Sequence, residues 1–288
     1  MRSKTYYIIS FVFVTVIIKA QLPETDLWLF KIKSKDNVLI LTEGKNITSR
    51  KGYDNQPFFT QDDKSILYVS IREDNQADVY SYSCSKGESV QLTKTKVSEY
   101  SPQYTPDNKF LTCVVVETDS AQRIWQYHLD GSFIKCLTEG IDSIGYYTWL
   151  STDTLLYYKL TEPHSLRMSY SGFGKDIWLC DSPSRAFKRC DGNEFIYAIK
   201  DSTTIKYRKY NSVTERSVEY AIHKSKSEDF VFNKQWGLVK SEGTQLLRYD
   251  VISKTWLSLF DFSNYGIKKI TRFTFDSKNK QVVIVDNN

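Results

Sequence analysis

The sequence predicts an all-β chain, a six-bladed β-propeller of four-stranded antiparallel blades whose ring is closed by N- and C-terminal strands sharing the last blade. Three observations predict it. Short runs rich in Val, Ile, Tyr, Phe and Thr alternate with Asp, Asn, Gly and Ser, and no segment sustains a helical period. Three short words recur at intervals close to 45 residues, the length of a propeller blade. The two ends of the chain each read as two strands, half of one blade.

The first word is Ile40-Leu41-Thr42-Glu43-Gly44, repeated as Gln91-Leu92-Thr93-Lys94, as Cys136-Leu137-Thr138-Glu139-Gly140 and more weakly as Leu179-Cys180-Asp181; the leucines stand 51, 45 and 42 residues apart. The second is Gln56-Pro57-Phe58-Phe59-Thr60-Gln61-Asp62-Asp63-Lys64, repeated as Ser101-Pro102-Gln103-Tyr104-Thr105-Pro106-Asp107-Asn108-Lys109, with Trp149 a further 45 residues beyond Tyr104. The third is the strand Ala77–Tyr82, matched by Arg123–Tyr127, with Tyr80 and Trp125 again 45 apart.

These words place blade one at about Asn55–Thr93, blade two at about Ser101–Thr138 and blade three at about Gly145–Cys180. In blade three, His164–Tyr170 is the expected third strand and Lys175–Cys180 the fourth. Blades four (about Arg185–Ile222) and five (about Glu228–Asp261, with a strand on Trp236–Val239) keep the strand rhythm without the words. Lys269–Asp286 holds two strands and opens like a blade at Phe273–Lys280. Asp26–Phe30 and Val38–Thr42 read as third and fourth strands, so the ends complete the sixth blade and hide two edges.

The 288 residues suit one closed all-β domain over residues 21–288. Ahead of it, Arg2 and Lys4 precede an apolar run from Tyr6 to Ile18 and then Lys19-Ala20-Gln21. That is the layout of a signal peptide cleaved after Ala20, and the run is too short to span a bilayer. The expected location is periplasmic or secreted. Losing Arg2, Lys4 and Lys19 lowers the net charge from +5 to +2. A near-neutral chain without a basic cluster argues against nucleic acid as a partner. No later run is long enough to cross a membrane, and a monomer is expected.

Pro102-Gln103-Tyr104-Thr105-Pro106-Asp107-Asn108-Lys109 resembles the opening word of the TolB-like propeller repeat, with Asn108 in place of Gly, and Leu-Thr resembles its end. Pro57–Lys64 is a weaker copy. The resemblance covers blades one to three and the closing blade. It implies an exported bacterial binding protein, often in complexes, and is an analogy of fold only. Asp107-Asn108 suits a turn needing positive φ.

Function is expected on loops. The face carrying the blade-to-blade connections collects Tyr53, Asp54, Arg72, Glu99, Tyr100, Tyr146 and His164, with Glu73, Asp74, Glu117, Asp119 and Glu162 beside them. Tyr and Arg are enriched at interaction hot spots, although polar loops are also simply solvated. If Tyr104, Trp149 and Phe275 face between blades, then Gln103, Thr148 and Thr274 face the channel. In blade four Lys188 or Arg189 reaches it, which would suit an anion. No set of channel carboxylates for a hard cation is found, and three histidines (His128, His164, His223) give no zinc spacing. No cofactor or metal is expected. Ser169-Tyr170-Ser171-Gly172-Phe173-Gly174 falls at a hairpin and lacks the first Gly of a nucleophile elbow. Five cysteines are expected unpaired. The expected function is therefore a non-catalytic binding or scaffold propeller that docks a protein partner. The alternative is a small-ligand-binding or hydrolytic propeller using the channel mouth.

Overall fold

A computed structural model describes residues 23–35, 38–170 and 176–287. The expected leader and most of the Ser169–Gly174 word lie outside the described residues. The strands run in the order β1 (Thr25–Lys35), β2 (Val38–Asn46), β3 (Tyr53–Phe59), β4 (Ser65–Ile71), β5 (Ala77–Ser83) and β6 (Ser89–Gln91). Next come β7 (Ser98–Tyr104), β8 (Leu111–Val116), β9 (Gln122–Tyr127) and β10 (Phe133–Cys136), then β11 (Ile144–Ser151), β12 (Thr154–Lys159), β13 (Ser165–Ser169) and β14 (Asp176–Asp181). β15 (Pro183–Arg189), β16 (Glu194–Lys200), β17 (Thr204–Asn211) and β18 (Arg216–Lys224) precede β19 (Phe230–Asn233), β20 (Gly237–Glu242), β21 (Gln245–Asp250) and β22 (Thr255–Asp261). A 3-10 turn at Ser263–Tyr265 leads to β23 (Ile270–Phe275) and β24 (Gln281–Asn287).

β7–β10, β11–β14, β15–β18 and β19–β22 are four-stranded antiparallel sheets. In the remaining sheet β23, β24, β1 and β2 lie side by side, and one parallel bridge between Thr25 and Tyr53 joins them to β3–β6. β1 runs antiparallel to β24, from Thr25 opposite Asn287 to Lys31 opposite Gln281. The first strands touch in succession: β3 with β7, β7 with β11, β11 with β15, β15 with β19, β19 with β23, and β23 with β3. The segments assigned by rhythm alone thus form complete sheets. Boundaries moved by a residue or more; Trp236 leaves its expected strand for the turn before Gly237, where it packs on Phe260 and Phe275.

The recurring words have structural causes. Thr93 and Thr138 sit just past the short outer strands. Their hydroxyls accept the backbone N–H groups of Val79 and Ile124, each at 2.9 Å, and so extend the ladder where the outer strand has ended. The leucines before them donate to the carbonyls of Val79 and Ile124 at 2.8 Å. Replacing Thr138 with Val should leave a buried N–H unpaired and cost about 1–3 kcal/mol in urea unfolding, with Thr138→Ser recovering most of it. In the second word, the Thr105 hydroxyl donates to Asp107 at 2.6 Å and Asp107 accepts the Lys109 N–H at 3.3 Å. The residue between takes the left-handed conformation, with φ of 57° at Asn108, 58° at Asp63 and 56° at Asn279. Pro57 and Pro102 fall in bulges of β3 and β7, where no ladder N–H is required.

The core lies between sheets. Trp149 packs on Val114 and Ile124 of the preceding sheet, and its indole N–H reaches the Thr112 hydroxyl at 3.1 Å. Phe275 meets Trp236 in the same way. All five cysteines are free, with Cys113 and Cys180 buried.

Candidate functional site

The first strands of the sheets begin at one face, and their leading residues surround a concave mouth of about 360 Å³. Its wall includes Thr25, Tyr53, Tyr146, Arg185, Glu228 and Arg272. Deeper lies a channel of about 280 Å³, lined among others by Gln103, Thr148, Lys188, Asp229, Arg272 and Thr274. Beside the mouth, Tyr53, Tyr100 and Tyr146 share a third depression of about 360 Å³ with Leu160. The three tyrosines, at or near the heads of β3, β7 and β11, therefore converge. Tyr53 and Tyr100 rest on Val69, Ile71 and Ala77. Tyr146 meets the Tyr158 ring edge-on at 5.8 Å, and Tyr158 lies 5.2 Å from exposed His164. The Arg272 guanidinium stands over Tyr146 at 5.2 Å. Together these residues form an aromatic wall with cationic groups at its base, suited to apolar and anionic parts of a ligand.

Gln103, Thr148, Thr274 and Lys188 line the channel as the alternation implied. Arg189 does not. It is exposed and borders a separate pocket with Tyr170 and Glu194, because it alternates with channel-lining Lys188 along β15.

Three residues expected on the open face are committed elsewhere. Asp54 is fully buried, and Arg50 binds its Oδ1 at 2.8 Å while also donating to Ser70 at 2.6 Å and to the Ile71 carbonyl at 2.9 Å. Burial pushes the Asp54 carboxyl up, against the pull of Ser70 and Arg50. Glu99 is also fully buried, accepting hydroxyls from Thr95 at 2.5 Å and Thr93 at 3.1 Å. Arg72 lies flat on Tyr80, 4.0 Å from the ring centroid, and its Nε donates to Ser70 at 3.2 Å. A loop carboxylate is exposed by default, but neighbouring hydroxyls or a guanidinium can satisfy it inside.

Sequence reasoning missed Arg185, Asp229 and Arg272. They stand at or near the heads of β15, β19 and β23, as Tyr53, Tyr100 and Tyr146 do in β3, β7 and β11. Extending the repeat alignment to the heads of β15, β19 and β23 would have nominated them. Arg185 spans the channel to the Thr271 carbonyl at 2.8 Å. Asp229 accepts the Phe273 N–H at 2.9 Å. Among the described residues no group of three or more His, Cys, Asp or Glu could hold a metal ion. No helix among them is long and apolar enough to cross a membrane.

No family model and no curated protein matches the sequence. Solved structures do match. A putative TolB from Agrobacterium tumefaciens aligns with a TM-score of 0.67 at 10% identity, covering 93% of this chain and 99% of that one. A gluconolactonase from Xanthomonas campestris gives 0.63 at 10%, covering 94% and 99%. A chain of a nidogen–laminin complex gives 0.62 at 11%, covering 91% and 98%. At such identities the likeness concerns fold alone, and with the antiparallel four-stranded sheets it identifies a β-propeller.

Proposed function

We propose that this chain is a non-catalytic, exported binding propeller of six blades that docks a protein partner over the mouth of its channel. The observation that carries the reading is the convergence of Tyr53, Tyr100 and Tyr146 on one concave, partly apolar surface with Arg272 beneath. Large aromatic and guanidinium groups around a depression are what interface hot spots are made of. The six-blade count is supported by the β1–β24 pairing and by the contacts from β3 round to β23 and back to β3. Export is supported by the sequence alone, through the charged, apolar and small-residue segments that end at Ala20. Membership of the TolB-like family is supported by the repeat words and by the TolB structure among the fold's neighbours.

Replacing both Tyr53 and Tyr146 with Ala tests the docking surface. The mature protein should capture a partner from the periplasm of its source cell, and the double variant should lose it. The half-buried rings make a folding control necessary, supplied by near-ultraviolet circular dichroism. Undiminished capture by a folded double variant would sink the reading. A small-ligand role for the channel has its own support in the cations below the mouth.

A further inference from the structure

We propose that the channel is an oxyanion-binding site, in which Lys188 and Arg272, with Arg185 behind them, hold a carboxylate or phosphate group. Lys188 and Arg272 line one channel cavity, and Arg185 borders both it and the mouth. Asp229 is the carboxylate in that channel wall, so three cations face one anion. Asp229 already accepts the Phe273 N–H. Among the described residues the Lys188 side chain makes no hydrogen bond or salt bridge, and Asp229 is the anion that attracts it. The Arg185 Nε is buried and unpartnered, while its other end is spent on the Thr271 carbonyl. Arg272 stacks on Tyr146, a contact that leaves the edge of a guanidinium free for hydrogen bonds.

Lys188, Arg185 and Arg272 are each partly buried, and a cation drawn from water without a full set of partners is costly. Burial pushes the Lys188 ammonium down from its ordinary range; Asp229 opposes this and the Arg272 charge reinforces it. An arriving anion would relieve both effects. A volume of about 280 Å³ admits a phosphate or a short carboxylate with its solvent. Thr148 and Thr274 add hydroxyls to the same wall, whereas the Gln103 amide is occupied by the Tyr147 carbonyl at 2.7 Å. The shared chemistry is an oxyanion. It can arrive as a free phosphate or as a carboxylate.

The test uses the purified mature protein, titrated by calorimetry with potassium phosphate and, separately, with potassium succinate, each against potassium chloride at equal ionic strength. Saturable binding of one or both is expected. At a hundredfold excess over Kd the Tm should rise by about 5 °C. Lys188→Met should fold with an unchanged or higher basal Tm, because the desolvation cost of the ammonium is gone, and should lose most of the ligand-dependent rise. Arg272→Gln should lose it too. A response to phosphate alone assigns a phosphate-bearing ligand, and one to succinate alone assigns a carboxylate. No saturable binding of either ion, or the same rise in Lys188→Met as in the parent, overturns the proposal. Partner docking is read by capture and the anion site by the protein alone, so either can fail without the other.

Discussion

Ending the chain at Lys280 should abolish cooperative folding. The deletion removes β24, in which Val282, Val283, Ile284 and Val285 are each fully buried. Burying one such side chain contributes about 1.5–3 kcal/mol, so four represent about 6–12 kcal/mol. The whole stability of an ordinary domain is about 5–15 kcal/mol. β1 would also lose its partner from Thr25 to Lys31, and β23 its only neighbour in the sheet order. The truncated protein should show no cooperative urea transition and should be digested rapidly by trypsin. A synthetic peptide spanning Gln281–Asn287 should restore part of the resistance by strand addition. A truncated chain that unfolds at the full chain's urea midpoint would refute the importance of the pairing.

Glu99→Gln should stabilise the protein at alkaline pH and leave it nearly unchanged in acid. The Glu99 carboxyl is fully buried between Thr93, Thr95 and Tyr127. Burial raises it from 4.5 to about 7; the nearby Asp78 charge adds to this, and the threonine hydroxyls oppose it. The native state therefore holds a proton that the unfolded chain has released. Stability is full below about pH 4.5, falls as pH rises to about 7 and stays reduced above that. A shift of this size corresponds to at most about 3 kcal/mol. Gln keeps the shape, and the hydroxyls can turn to accept from its amide. Urea midpoints measured at pH 4 and pH 8 should then diverge less in the variant than in the parent, by the equivalent of about 2 kcal/mol. Identical pH profiles would show that Glu99 does not titrate in this range.

Glu99 also shows how far the sequence was legible. Its position at the start of an inner strand was readable from the repeat, but its burial was not. Nothing local marks a carboxylate whose partners, Thr93 and Thr95, are brought round by the turn between blades. Arg72 was likewise placed on the right loop, yet its charge is spent on Tyr80. The words themselves were legible because each encodes a backbone need: a hydroxyl where a strand stops, a left-handed residue in a hairpin, a proline in a bulge. Sheets β15–β18 and β19–β22 keep left-handed residues in their hairpins, at Glu215 and Lys254, but lack the recurring words and offered only rhythm. Arg185 and Lys188 sit in the first of these and Arg272 at the head of β23, and of the three only Lys188 was nominated for the channel.

The pairing of β1 with β24 also sets an order in time. Of the described strands β1 is made first and its partner β24 last, so a contact spanning most of the described chain must wait until β24 has been made. Loop closure over that distance is slow, and a strand edge left open meanwhile is an invitation to self-association. Until then Val282–Val285 are missing from the packing around Leu27 and Phe30, both fully buried in the finished protein. A chain interrupted before β24 should therefore self-associate through the open edge of β1, and pairing with β24 is the event that closes it.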